Sequence, residues 1–200
     1  MKIAVYGATG MVGSQIVAEA LGRGHEVTAV SRTGRPVEGA SSATATLGDL
    51  AAYRSLAAAH DVVVLSVPPS RDGGDPQDFI GAHEAISETL VPARVFIVGG
   101  AGSTVVDGGL LVDQPGFPPE YEAESRAMIA VMENYNSASG LDWTMLAPAP
   151  IIAPGERTGT YELGADSPVG DAISTQDFAV AVLDELEEPK HRHRRFTVAN

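Results

Sequence analysis

The chain has 200 residues, 44% of them hydrophobic, a length and apolar content that fit one compact domain with a substantial core. Its formal charge of -13 argues against a general affinity for nucleic acid or an anionic membrane, and no stretch of about 18 apolar residues offers a bilayer span. The absence of cysteine removes disulfides, thiolate nucleophiles and Cys-ligated zinc or iron-sulfur centres. No basic, apolar leader precedes the first strand, so a cytoplasmic protein is expected.

In chain order, Lys2-Ile3-Ala4-Val5-Tyr6 reads as a buried strand that runs into Gly7-Ala8-Thr9-Gly10-Met11-Val12-Gly13. An apolar strand that turns sharply into a helix leaves free N–H groups in the first helical turn, and glycines let an anion such as pyrophosphate approach them. The glycines fall three apart, at Gly7, Gly10 and Gly13, a variant of the G-x-G-x-x-G dinucleotide fingerprint. In the following helix Val12, Ile16, Val17, Ala20 and Leu21 form one apolar face, stopped at Gly22 and Gly24.

A second strand spans Glu26 to Val30 and a short third one Ala43 to Leu47, before Gly48-Asp49-Leu50 and helical sequence over Ala51 to Ala59. Asp61 to Val67 is apolar without interruption in its centre, the pattern of a parallel strand covered on both faces, and it stops at Pro68-Pro69. A helix from about Gln77 to Leu90, the strand Arg94 to Val98, a long helix along Ser125, Met128, Ile129, Met132 and Tyr135, and the strand Trp143 to Leu146 follow. The helix Thr175 to Glu188 begins at a Ser174 or Thr175 cap with Asp177 in its first turn, and Val180, Leu183 and Leu186 face inward. The basic run His191 to Arg195 decorates the mouth of a last strand, Phe196 to Ala199. This order predicts an α/β, doubly wound parallel sheet of the NAD(P)-binding Rossmann type, with strand order 3-2-1-4-5-6-7 and a single domain over residues 1–200. Loops in 101–120 and 148–172 form its acceptor side.

In such a sheet the ligand crosses the carboxyl ends of the strands, where Gly7 to Gly13, Ser31-Arg32, Asp49-Leu50, Ser66-Val67 and Gly99-Gly100 through Ser103 converge. Within the glycine loop Thr9, Met11 and Val12 are part of the cofactor site. An acid at the end of the second strand would suit the ribose of NAD. Here Ser31-Arg32-Thr33 stands there and Glu26 lies at the strand's other end, so NADP (as NADPH) is the expected cofactor. A solvated Arg32 is the alternative. Asp49 either accepts from the adenine amino group or caps the next helix, and Leu50 packs near the ring. Arg157, in the proline- and glycine-rich segment Pro148 to Tyr161 expected over the nicotinamide end, either meets an anion or forms a local ion pair. His83 and His60 read as structural, and His191 with His193 lack a third ligand for a metal, so no metal site is expected.

At this point the chain resembles the small atypical short-chain dehydrogenases/reductases, specifically the NmrA-like NAD(P)H-binding group that includes proposed NADH-flavin reductases. The stretches that carry the likeness are Ile3 to Gly13, Ile97 to Ser103, Leu141 to Pro148, Pro154 to Tyr161 and Ile173 to Ala179, nearly the whole chain. The resemblance implies an NADP-type cofactor, no large substrate-binding extension, and a relation to biliverdin and flavin reductases. The larger family uses a Tyr-x-x-x-Lys pair for proton exchange. Here Tyr121-Glu122-Ala123-Glu124-Ser125 has serine at the lysine position, and the only lysines are Lys2 and Lys190. Alcohol dehydrogenation is therefore disfavoured. A flavin-like or quinone-like small-molecule acceptor, with flavin as substrate and not prosthetic group, removes the need for that pair. Ser103 is the candidate beside the nicotinamide or else a local cap, and Tyr121 borders the acceptor pocket or is a surface aromatic. An NADP-binding redox sensor without turnover, and a reductase or isomerase of another metabolite, are the alternatives.

Overall fold

Successive residues of a strand face opposite sides of its sheet, and here both sides are apolar. One face presents Ile3, Val5, Val27, Ala29, Val62, Val64, Phe96, Leu146, Phe196 and Val198; the other presents Ala4, Tyr6, Val30, Val63, Leu65, Val95, Ile97, Trp143 and Met145. Each face demands its own layer of helices. The computed structural model, which describes residues 1–70 and 75–200, shows how the chain supplies them.

Strand β1 (Lys2–Tyr6) leads to helix α1 (Gly13–Gly22), then β2 (Glu26–Ser31), β3 (Ser41–Thr44), α2 (Leu50–Ala59), β4 (Val62–Leu65), α3 (Pro76–Ser87) and β5 (Arg94–Val98). The two-residue strands β6 (Val105–Val106) and β7 (Gly109–Leu110) precede α4 (Glu122–Ser137), β8 (Trp143–Pro148), β9 (Ile151–Ala153), β10 (Glu162–Gly164), β11 (Ala172–Ser174), α5 (Thr175–Glu187) and β12 (Arg194–Ala199). The central sheet runs β3-β2-β1-β4-β5-β8-β12-β10. Its first seven members are parallel neighbours in the expected 3-2-1-4-5-6-7 order.

The eighth strand, antiparallel β10, was not foreseen; Glu162-Leu163-Gly164 has neither the length nor the apolar run of a strand and is fixed only by pairing with Thr197 to Ala199. The third strand also differs from expectation. It lies at Ser41–Thr44, not Ala43 to Leu47, because β3 is an exposed edge whose register is set by its bonds to Thr28–Ser31 rather than by burial.

Helices α1 and α5 cover the first face, with Ile16, Val17, Ala20, Phe178, Val182, Leu183 and Leu186 in one apolar cluster with the strand residues. On the opposite face α2, α3 and α4 contribute Tyr53, Ala57, Phe79, Ile86, Ala127, Met128, Val131 and Tyr135. Local signals start these helices. Asp49 accepts from the Ala52 amide at 2.9 Å, Asp75 from Gln77 at 2.8 Å with Pro76 at the first helical position, and Ser174 from Asp177 at 2.9 Å. Among the described α-helices only α1 lacks both a side-chain cap and an acidic residue in its first turn.

Candidate dinucleotide-binding site

The three glycines of the β1–α1 loop do different work. Gly7 has φ +73°, and a Cβ there would lie 2.1 Å from the Ser66 carbonyl oxygen; a Cβ at Gly13 would lie 2.2 Å from the Gly7 carbonyl oxygen. Both positions are closed by backbone. Gly10 is the open one: its nearest obstacle is the Gly7 carbonyl oxygen at 3.2 Å, and the residue is exposed. Gly7 and Gly13 therefore hold the turn together, whereas Gly10 leaves its outer side free for a ligand. The amides of Met11, Val12 and Gly13 have no backbone acceptor among the described residues, and this uncapped start of α1 offers a positive dipole end to an anion. A pyrophosphate fits this cradle.

Gly7 also brings β4 to the loop, since its built Cβ would meet Val67 Cγ2 at 3.3 Å besides Ser66. On the other side, Gly7 and Ala8 donate to the Val30 carbonyl at 3.1 and 3.4 Å, which seats the loop against the end of β2. There Ser31 is buried and its hydroxyl accepts from the Arg35 amide at 3.2 Å. Arg32 and Arg35 are both exposed and make no ion pair among the described residues. Sequence reasoning singled out Arg32 and did not consider Arg35, although the Ser31-Arg32-Thr33-Gly34-Arg35 spacing places both residues just beyond the same strand end.

Asp49 is the cap of α2, which settles one of its two readings, and its carboxylate remains exposed. It also acts on Tyr6, whose phenol is pushed up to about 12 by burial first and by the Asp49 charge second. The Tyr6 and Tyr53 hydroxyls are buried without a hydrogen-bond partner among the described residues, and burial raises Tyr53 as well. Both phenols therefore keep their protons at neutral pH.

At the end of β5, Gly99 donates to the Leu146 carbonyl at 2.8 Å, and Gly100 leads into a short 3-10 turn, Ala101–Ser103. Ser103 is 1% exposed, and its hydroxyl donates to the Gly100 carbonyl at 2.9 Å. Gly102 packs directly on α4: a Cβ would lie 2.2 Å from Ser125 Oγ. This explains the serine at the lysine position of the Tyr-x-x-x-Lys pattern, because that position is buried under the 101–103 turn and has no room for a long side chain. Tyr121 is 50% exposed at the start of α4, and Met11, at the glycine loop, is likewise 50% exposed.

The segment after β8 is fastened elsewhere from Gly155 onward. Arg157 pairs with Glu19 through Nε and Nη2, both at 2.8 Å, so its local ion pair is the reading the structure supports. Arg157 with Arg23 holds the Glu19 carboxyl down to about 2 against the opposing effect of burial. Asp177, fully buried, accepts from Thr158 Oγ1 at 2.7 Å, the Gly159 amide at 2.8 Å and Asn200 Nδ2 at 2.6 Å. These contacts bind the 155–161 stretch to α1 and α5, with Tyr161 donating to Asp184.

The basic run also differs from expectation. It does not simply decorate a strand mouth: His191 stacks on Phe196 and bonds Glu185 at 2.8 Å, while Arg195 is buried beneath Ser103. Arg195, Thr197 and Ala199 alternate along β12, so a period-two reading carried back past Phe196 would have placed Arg195 inside. Among the described residues no group of three His, Asp or Glu side chains is placed to hold a metal ion, and no helix is long and apolar enough to cross a membrane.

A parallel sheet whose strand order reverses beside a glycine loop, with an uncapped helix pointing at that crevice, defines a Rossmann-type nucleotide-binding protein. The NAD(P)H-binding family model matches residues 7–189, and the chain belongs to that NAD(P)H-binding family, in keeping with an atypical short-chain dehydrogenase/reductase of the NmrA-like type. It is 36% identical to YwnB, an uncharacterized protein of Bacillus subtilis (strain 168), over 100% of this chain and 99% of that one. Two solved structures align over 100% of this chain with a TM-score of 0.89. One is a proposed exported protein from Burkholderia pseudomallei, 36% identical and covered over 100% of its length. The other is a proposed NADH-flavin reductase from Streptococcus pneumoniae TIGR4, 29% identical and covered over 99%. A proposed epimerase from Bacteroides thetaiotaomicron is 32% identical with a TM-score of 0.85, over 99% of this chain and 96% of its own. The family and these relatives support an oxidoreductase that uses a nicotinamide cofactor.

Proposed function

We propose that this protein is an NADPH-dependent reductase that passes hydride to a flavin-like or quinone-like small molecule. The observation that carries the cofactor choice is the end of β2, where Arg32 and Arg35 are exposed and unpaired among the described residues and no carboxylate stands in Ser31 to Arg35. Two guanidinium groups suit a 2′-phosphate, which accepts charge-assisted hydrogen bonds, and would leave a ribose hydroxyl without an acceptor. The designation of the S. pneumoniae relative names NADH, so the preference for NADPH rests on this chain's own residues.

When bound, the nicotinamide supplies the hydride. The chain's part is to bind and orient. Amides of Met11 to Gly13 would hold the pyrophosphate, Gly10 would leave room for it, and Ser66-Val67 and Gly99-Gly100 would stand at the strand ends it crosses. Leu50 and the Asp49 carboxylate flank the adenine end. The Ser103 turn, whose own hydroxyl is taken up by the Gly100 carbonyl, and Tyr121 would border the acceptor, and its proton would come from water. An acceptor such as a flavin needs no activated phenol, which agrees with Ser125 being buried where the larger family has lysine. The cytoplasm, where NADPH is maintained, is the location this reading implies.

Turnover tests it. Purified protein is expected to accelerate NADPH oxidation by FMN, FAD or riboflavin, followed by nicotinamide absorbance against a protein-free control. The burial of Ser103 favours one competing reading, a redox sensor that binds NADPH without turnover. Tight NADPH binding with no acceleration for flavins or small quinones would favour that second reading over the first.

A further inference from the structure

Arg195 lies in β12 on the same face as its neighbour Met145, under the loop that carries Ser103, with 5% of its side chain exposed. Its Nη1 donates to the Ser103 carbonyl oxygen and lies 3.3 Å from Ser103 Oγ. Its Nη2 reaches Asp166 Oδ1 at 2.7 Å and the Asp166 carbonyl at 3.3 Å. That same carbonyl accepts from the Val105 amide at 2.9 Å. One planar fork therefore joins two segments distant in sequence, the 101–105 turn after β5 and the loop around Asp166.

A buried guanidinium is expensive unless it is fully bonded, and here Nε has no acceptor among the described residues. An aliphatic side chain would fill the same space without that cost, but it would not hold two backbone segments at a fixed separation. We infer that Arg195 is a positioning residue that sets the shape of the nicotinamide-side turn, through the Ser103 carbonyl, and so governs how the nicotinamide half of the cofactor is held. The inference rests on the cofactor reading above. Asp166, itself exposed, completes the clamp from the rim.

The test compares two ligands that share the adenosine half: NADPH, and adenosine 2′,5′-bisphosphate, which lacks the nicotinamide. Each is titrated by calorimetry into wild type, Arg195→Met, Arg195→Lys and Asp166→Asn, with thermal unfolding recorded in parallel. In Arg195→Met the NADPH Kd is expected to rise about fivefold or more while that of the bisphosphate stays within about twofold, the size of coupling a residue outside the ligand's own contacts can exert on one half of it. Arg195→Lys should recover part of the affinity for NADPH. Asp166→Asn, at an exposed site, should move in the same direction by less, and it decides the question if Arg195→Met does not fold. Kd values for the two ligands that move together, or do not move in either variant, would overturn the assignment. Wild-type protein that binds neither ligand would instead overturn the cofactor reading beneath it.

Discussion

His83 offers a quantitative test of the packing between α3 and α4. Its ring is buried, 3.1 Å from the Tyr135 hydroxyl at Nδ1 and edge-on to Phe79 at 4.6 Å between centroids. Desolvation lowers its pKa from 6.5 to about 3. The native imidazole is thus neutral at any pH where the protein is handled, with the Tyr135 hydroxyl placed to donate to Nδ1. The unfolded chain takes up a proton below about 6.5 and the native state does not, so the contribution is complete above that pH and is lost as pH falls toward 3. The slope is about 1.4 kcal/mol per pH unit, which amounts to about 2 kcal/mol by pH 5. Any native pKa below about 4 gives the same figure at pH 5. Urea unfolding, followed by the fluorescence of the single tryptophan, Trp143, which is buried 5.7 Å from Tyr135, measures it directly. His83→Gln keeps an acceptor for Tyr135 and does not titrate. Its stability between about pH 7.5 and 5 should fall less steeply than wild type by the stated 2 kcal/mol; parallel pH profiles would refute the reasoning.

Three further outcomes are expected. Arg32→Ala should weaken NADPH binding by about 1.5–3 kcal/mol and NADH binding hardly at all, and equal losses for the two cofactors would remove the 2′-phosphate assignment. Gly10→Val should abolish binding of either cofactor with the circular dichroism of the sheet preserved, whereas Gly13→Ala should lower the melting temperature, because its Cβ would lie 2.2 Å from the Gly7 carbonyl oxygen. A Gly10→Val protein with intact affinity would mean the phosphate lies elsewhere. Asp177→Ala should cost roughly 3 kcal/mol, since it strips acceptors from Thr158, the Gly159 amide and Asn200 at once, and a change below about 1 kcal/mol in denaturant unfolding would contradict that accounting.

The glycine loop, the apolar strands and the capped helix starts were legible because each is written locally, and the order of the seven parallel strands followed from their regular alternation with helices. A strand covered on both faces is an unbroken apolar run, as in Val62 to Leu65, and a cap lies within three residues of the amide it bonds, as Ser174 does of Asp177. The division of labour among Gly7, Gly10 and Gly13 was not legible in this way, since it depends on how closely Ser66 and Gly7 approach them in space. Likewise Ser41–Thr44 became a strand only because Thr28–Ser31 lay beside it. The charged side chains were the least readable: Arg157 finds Glu19 138 positions away and Arg195 finds Ser103 92 positions away. A guanidinium is equally at home in solvent or in a buried fork, and only the folded chain brings to it the oxygens that decide which.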